Sequence, residues 1–530
     1  MNVKILLLAL AAVGAPAAMA QQKSIDNPMT RAVLQVYDQQ LQENPSDWET
    51  WMRRAYEYYN HDEYMRALND VENAIKYIPQ GNKDDRRDAY LLRANIYEQT
   101  GRLREALADL NSALAMSPNL FLAIYQKANV EYELGDYADA KTDYKRLQRL
   151  NPRSAEALIG LARVAVKENN LGTANEMLDQ AVNLDPNNSE YYVRRARVRQ
   201  SMGNHRDAVE DLILALSTDS RNVNATQALV DYGRTNYPAV MAGLTSAIEQ
   251  APKVGMFVYV RARIAQAHYK YKAALEDFQK IVDQHLYDYH GIYASMAECQ
   301  FALGKFQQAL DNVDQAISMD QNTASHYVLR SQILRALDRK QEAFETALKA
   351  SVVNPGNNVA VVEMGLCRAS LGQWSEAADL FGEATMNNPE SPMNFMLRAW
   401  VLGEHLNQPV ASKQFYEHIT EMDNFDLDNV NSLKGFAQLY SGHEVEGQAW
   451  MDNILSTVED PDGFVHFMGA CYYSEAGNYD KALECATKAL DAGYSNYYDW
   501  MYNTDGRINV KALRDDLRFL NLMSRHEVLF

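Results

Sequence analysis

Histidines, acids and cysteines are the side chains of this 530-residue chain most able to do chemistry. His443-Glu444 opens like a zinc-protease motif, but the position four residues after the histidine is Gly447, so no second imidazole shares the helix face. His285 and His290, with Asp283 and Asp288 nearby, offer imidazole and carboxylate donors suited to a divalent ion. A polar loop explains the same four residues, and no metal is expected. No glycine-rich phosphate loop, nucleophile elbow or paired-carboxylate constellation stands out. The expectation is therefore a non-enzyme with no cofactor and no catalytic residue.

The four cysteines lead to the organising pattern. Cys299, Cys367 and Cys471 end the similar tetrapeptides Met-Ala-Glu-Cys, Met-Gly-Leu-Cys and Met-Gly-Ala-Cys. Cys299 and Cys367 are 68 residues apart, two whole periods of a repeat, and stacked units hold them beyond the ~7 Å between α-carbons that a disulfide tolerates. Cys471 and Cys485 flank one turn; a bridge and two buried thiols both fit, with the thiols favoured.

The repeat is clearest from Arg87 to Leu120. Tyr90, Ala94 and Tyr97 mark one helical face, Gly101 a turn, Ala106, Leu110 and Ala113 a second face, and Pro118 a stop. A step of 34 residues carries Pro118 to Pro152 and Pro186, and Ala106 to Ala140, Ala174 and Ala208. Fixed periods of this size build stacked arrays in which each unit meets mainly its neighbours. Small residues let paired helices approach closely, and proline, lacking an amide hydrogen, ends the second helix.

In the first full unit the pattern is Trp51, Ala55, Tyr58, Ala67, Val71, Ala74 and Pro79, and it resembles the tetratricopeptide repeat. The resemblance covers nearly all of the chain after its first residues. It implies an all-α fold, a right-handed superhelical α-solenoid of about thirteen helix-turn-helix repeats.

In chain order, Met1 to Ala20 has a basic start, an apolar run from Ile5 to Val13 and a small-x-small site, which reads as a secretory signal cleaved near Ala20/Gln21. Residues 21–47 form a linker and a capping helix. Repeats one to six occupy 48–252, starting near 48, 87, 121, 155, 189 and 221. The charged insertion Gly81 to Arg86 reads as a surface loop. The sixth repeat, 221–252, is degenerate and carries Pro238 where its second helix should begin, a tolerated place for proline. Repeats seven to thirteen occupy 253–490, starting near 255, 290, 324, 358, 392, 428 and 462. Residues 491–530 read as a cap over the last hairpin.

The resemblance also implies that first helices line a concave face, with the residue after the first small contact position exposed there. Reading one residue per repeat gives Tyr56, Asn95, Asn129, Arg163, Arg197, Arg263, Glu298, Gln332, Leu366, Trp400 and Phe436. Asn95 and Asn129 would clamp a peptide backbone with their donor and acceptor, or are ordinary exposed helix residues. Arg163, Arg197 and Arg263, with Lys167 and Arg194, make a basic stretch suited to carboxylates, unless neighbouring acids neutralise it. Trp400 and Phe436 would anchor an apolar side chain of a partner, or serve as core. Leu91 and Tyr125 replace the lysines of a carboxylate clamp, which disfavours an adaptor for chaperone tails.

The net charge of -19 argues against general nucleic-acid binding, which requires cationic surface. The expected function is a scaffold that binds a protein or extended peptide in the cell envelope, periplasmic or secreted, without a transmembrane segment. Self-association stays open. Two rival readings remain open: a glycan-binding helical-repeat protein of an outer-membrane uptake system, and an α/α-toroid hydrolase.

Overall fold

The computed structural model describes residues 27–287, 291–422 and 431–528. The signal sequence, together with Asp288 and His290, lies outside the described residues. No strand occurs among the described residues, and no helix there is long and apolar enough to cross a membrane. After the helix Pro28–Glu43, thirteen helix pairs follow from Trp48–Asn60 with Tyr64–Tyr77 to Phe464–Glu475 with Tyr479–Ala492.

The boundaries follow the punctuation in the sequence. Pro79, Pro118, Pro152 and Pro186 each stand one residue past the C-cap of a second helix. Pro238 sits in the first turn of the helix Tyr237–Gln250, where its missing amide hydrogen has no intrahelical partner to lose. The insertion at 81–86 corrects the loop expectation, because most of it is helical: Lys83–Gln99 begins inside it. The Asn82 side chain accepts the Asp85 amide as an N-cap, and Asp84 and Asp85 complement the positive end of the helix dipole.

The described residues divide into two compact units between Leu229 and Val230, inside the degenerate repeat. In the first unit, the small contact residues Ala55, Ala94, Ala128, Ala106, Ala140 and Ala174 have no exposed surface. Their size is a requirement where aromatics pack: a Cβ on Gly160 would lie 2.2 Å from the Tyr144 ring. Each of four hairpins here also carries a cation one residue before the small position and a buried aspartate 16 residues on. Arg54 pairs with Asp70, Arg93 with Asp109, Lys127 with Asp143 and Arg195 with Asp211. These pairs tie first helix to second, which removes four cations from any ligand.

The second unit closes on itself. His268, just after the helix Gly255–Ala267, meets Asp462, just before Phe464–Glu475, with Nδ1 2.6 Å from the carboxylate and Nε2 2.8 Å from the Gly233 carbonyl. Repeat seven thus touches repeat thirteen. Tyr269 stacks on Phe464 at 6.0 Å beside this contact.

The C-terminal segment corrects a second expectation. Its helix Leu517–Arg525 does pack on the last hairpin, with Arg518 bonded to Asp480 at 2.8 Å. Residues 493–514 instead run against the first helices of the closed unit. Tyr494 meets Tyr269 and Phe467, Tyr498 meets Phe301, Asp505 meets Arg335, and Arg507 meets Glu404, Tyr440 and Glu475. Trp500, with no exposed surface, packs on Phe467 and Phe519.

All four cysteines are buried and free, so Cys471 and Cys485 are not bridged. Burial pushes each thiol above its ordinary range, leaving poor nucleophiles.

Candidate functional site: the inner helix face of the first unit

The ladder read from the sequence falls into two groups, because the units differ in what covers their first helices. In the first unit the residues after the small positions connect consecutive first helices. Gln126 donates to Asn95 Oδ1 at 2.5 Å. Asn129 Oδ1 accepts from the Tyr144 hydroxyl at 2.7 Å and from Arg163 at 3.2 Å. Both asparagine carbonyls are therefore engaged within the array, which orients each amide and turns its NH2 group toward donor service.

Arg163 has three local partners: Asn129, Glu133 at 2.7 Å and the face of Tyr132 at 4.0 Å. Arg194 pairs with Glu190 at 3.4 Å, one helical turn away. The basic stretch is thus partly neutralised where the sequence left that alternative open. Arg197 and Lys167 are exposed, and no ion pair joins either to the described residues. Tyr56 is also exposed, at 44%.

Glu98, three residues beyond Asn95 and so on the same side of its helix, was missed from the sequence. Burial pushes its carboxyl up to about 7, and its Oε1 has no hydrogen-bond partner. Glutamate in a helix carries no sequence signal of such burial. The cation-to-aspartate pairs were legible, since an Arg or Lys with an Asp 16 residues later recurs at matching positions. They distinguish Arg195, turned toward the second helix, from Arg197, which stays exposed.

In the second unit the ladder is largely committed to the protein's own contacts. Arg263 donates to Ser295 at 3.3 Å and lies beside Glu298, whose carboxyl burial pushes up to about 7 against the opposing pull of that arginine. Gln332 and Leu366 are half-buried. Trp400 is half-buried, edge-on to Trp374, and donates to Glu404 at 3.1 Å. Phe436 is corrected outright: it has no exposed surface and packs between Tyr440 and Tyr472 as core. No group of three or more His, Cys, Asp or Glu side chains is arranged to hold a metal among the described residues.

Helix pairs joined in register through small residues, with a polar face shared by consecutive first helices, define an α-solenoid of the scaffold type. Residues 52–120, 131–198 and 296–359 match family models described as tetratricopeptide repeat, and the chain is a tetratricopeptide-repeat protein in these segments. No protein with a curated description matches it. Among solved structures it is similar to yeast Tom70, at 17% identity over 77% of this chain and 95% of that one, with a TM-score of 0.38. It is similar to YrrB, described as a repeat protein with an unusual peptide-binding site, at 20% identity over 36% and 96%, with a TM-score of 0.30. MamA from Desulfovibrio magneticus RS-1 is 17% identical over 33% and 97%, with a TM-score of 0.30.

Proposed function

We propose that the protein is a non-enzymatic scaffold of the cell envelope whose first unit holds an extended peptide segment of a partner protein. The observation that carries this reading is the shared polar face of repeats two to four. There Asn95 and Asn129 are oriented by Gln126, Tyr144 and Arg163, and exposed Arg197 and Lys167 follow farther along. Amide donors suit the carbonyls of an extended backbone, and the two exposed cations suit an acidic side chain beside it. Export rests on the signal-like first 20 residues.

The toroid rival gains a closed ring in the second unit but no open reaction cavity from these groups. Carboxylates that converge there are held by arginines, Glu363 and Asp505 by Arg335 and Glu404 and Glu475 by Arg507.

The test is affinity capture from an envelope extract by the mature protein and by a variant carrying Arg163→Glu and Arg197→Glu. A discrete protein retained by the parent and lost by the variant supports the reading. Unchanged capture moves binding off this face, and capture of polysaccharide without protein overturns it in favour of glycan binding.

A further inference from the structure

The second unit's inner face is covered by a non-repeating stretch of the same chain, laid across one repeat after another. Tyr494 packs on repeats seven and thirteen, Tyr497 and Tyr498 on repeat eight, Asp505 on repeat nine, Gly506 beside Leu397 of repeat eleven, and Arg507 on repeats eleven to thirteen. We propose that this face is a second peptide-binding groove, that residues 493–514 are its tethered ligand, and that a partner's extended segment of the same chemistry enters by replacing them. That chemistry is a pair of aromatics, an acid seven residues later and an arginine two beyond it. The inference builds on the reading of the chain as a peptide-holding scaffold.

Three observations carry it. The segment forms no hairpin and adds no repeat; it holds only the single turns Tyr498–Tyr502 and Lys511–Leu513 between stretches without regular structure. It therefore lies on the array as a bound peptide does.

It is held by charged anchors as well as by the buried rings of Tyr494 and Trp500, whereas the hairpins meet mainly through alanine and leucine. Asp505 is bidentate on Arg335 at 2.7 and 2.9 Å, Arg507 binds Glu475 and Glu404, and Ser495 donates to the Tyr269 carbonyl at 3.1 Å. The charged contacts set the register of the segment on the face and add specificity to the aromatic packing.

The groove is also shaped for the occupant, and a glycine turns the chain toward it. Gly304, at φ 74°, leaves the space taken by Tyr497, where a Cβ would come within 2.3 Å of the ring. Gly493, at φ 99°, ends the last helix in a left-handed residue that redirects the chain.

The experiment uses full-length protein and a fluorescent peptide of residues 493–514 as the probe. Asp505→Arg sets a second cation against Arg335 and should release the segment, so the variant should bind the peptide about tenfold or more tightly than the parent. Circular dichroism first establishes that the variant is folded. The same peptide carrying Asp505→Arg should not bind, and Gly304→Val in the released protein should abolish binding. A dimer of the released variant, dispersed by the peptide, is the same groove filled by a second copy and supports the proposal. A folded variant that ignores the peptide overturns it.

Hydrogen exchange on the parent protein gives a test that needs no variant. Amides of 493–514 should exchange through an opening of lower free energy than those of the helix Phe464–Glu475. Exchange only with the whole unit makes the segment core and overturns the proposal. Repeating the peptide titration with Arg163→Glu and Arg197→Glu added separates the two readings, since those changes should leave this groove untouched.

Discussion

Arg335 and Asp505, 170 residues apart in sequence, meet through two hydrogen bonds, and the same guanidinium also binds Glu363 at 2.8 Å. One arginine thus joins its own helix Ala324–Ala336, the next first helix Asn358–Ser370 and the C-terminal segment. Removing either partner has unequal consequences. Arg335→Ala strands two acids and should cost about 3 to 5 kcal/mol, whereas Asp505→Ala leaves Arg335 paired with Glu363 and should cost about 2 kcal/mol. Urea unfolding of the two variants checks the order; equal losses would show that the two carboxylates do not share the charge.

Gly304 and Gly101 provide a matched pair. Both have left-handed backbones, at φ 74° and 72°, but a Cβ on Gly101 meets nothing within 4 Å. Alanine at either site should cost about 1 to 2 kcal/mol for the backbone. Gly304→Ala should cost about 1 to 3 kcal/mol more, because it forces Tyr497 aside. Thermal melting of the two variants tests this, and the same loss at both would mean that Tyr497 moves freely.

The docked segment should respond to pH in the direction opposite to an ordinary surface aspartate. Burial pushes Asp499 from 3.8 up to about 6, although Tyr494 and Asn496 donate to it. A raised folded-state value means that the folded chain binds the proton more tightly than the unfolded one. The contribution to stability is therefore complete below the unfolded value and is lost as pH rises through about 6. Asp499 alone should add about 1.4 kcal/mol to the stability of the second unit on going from pH 8 to pH 5, with Glu298 contributing in the same direction. Asp499→Asn should remove part of that slope, and the part due to Glu298 should remain. Melting temperatures across the range decide it, and a slope unchanged in the variant assigns the effect elsewhere.

His268 closes the ring through its two nitrogens while only 3% exposed. His268→Ala leaves the Asp462 carboxylate and the Gly233 carbonyl without this partner and should cost about 2 to 4 kcal/mol. Hydrogen exchange should quicken in the helix Phe464–Glu475 and stay unchanged in repeats one to four. Uniform quickening across both units would contradict a local closure.

Much of the architecture was readable in the residues themselves. The 34-residue step, alanine or glycine at fixed contacts and proline after many of the second helices place the hairpins, because each depends on helix geometry within one or two units. The exception at 81–86 has a local reason too: Asn82 with Asp84 and Asp85 is a helix start, and a charged stretch resembles a loop in composition alone. The candidate site was less legible. Ladder position located Asn95, Asn129 and Arg163, but the partners that orient them sit in neighbouring repeats, and Phe436 followed the same register into the core.

The sequence by itself determined the repeating unit and most of its boundaries, which are short-range consequences of residue type and spacing. Only the tertiary structure decided that repeat seven meets repeat thirteen and that Tyr498 and Asp505 fill the face between them. Small rotations between neighbouring hairpins add up over the whole second unit, and no periodic signal in the chain records where that sum brings residues 194 apart into contact.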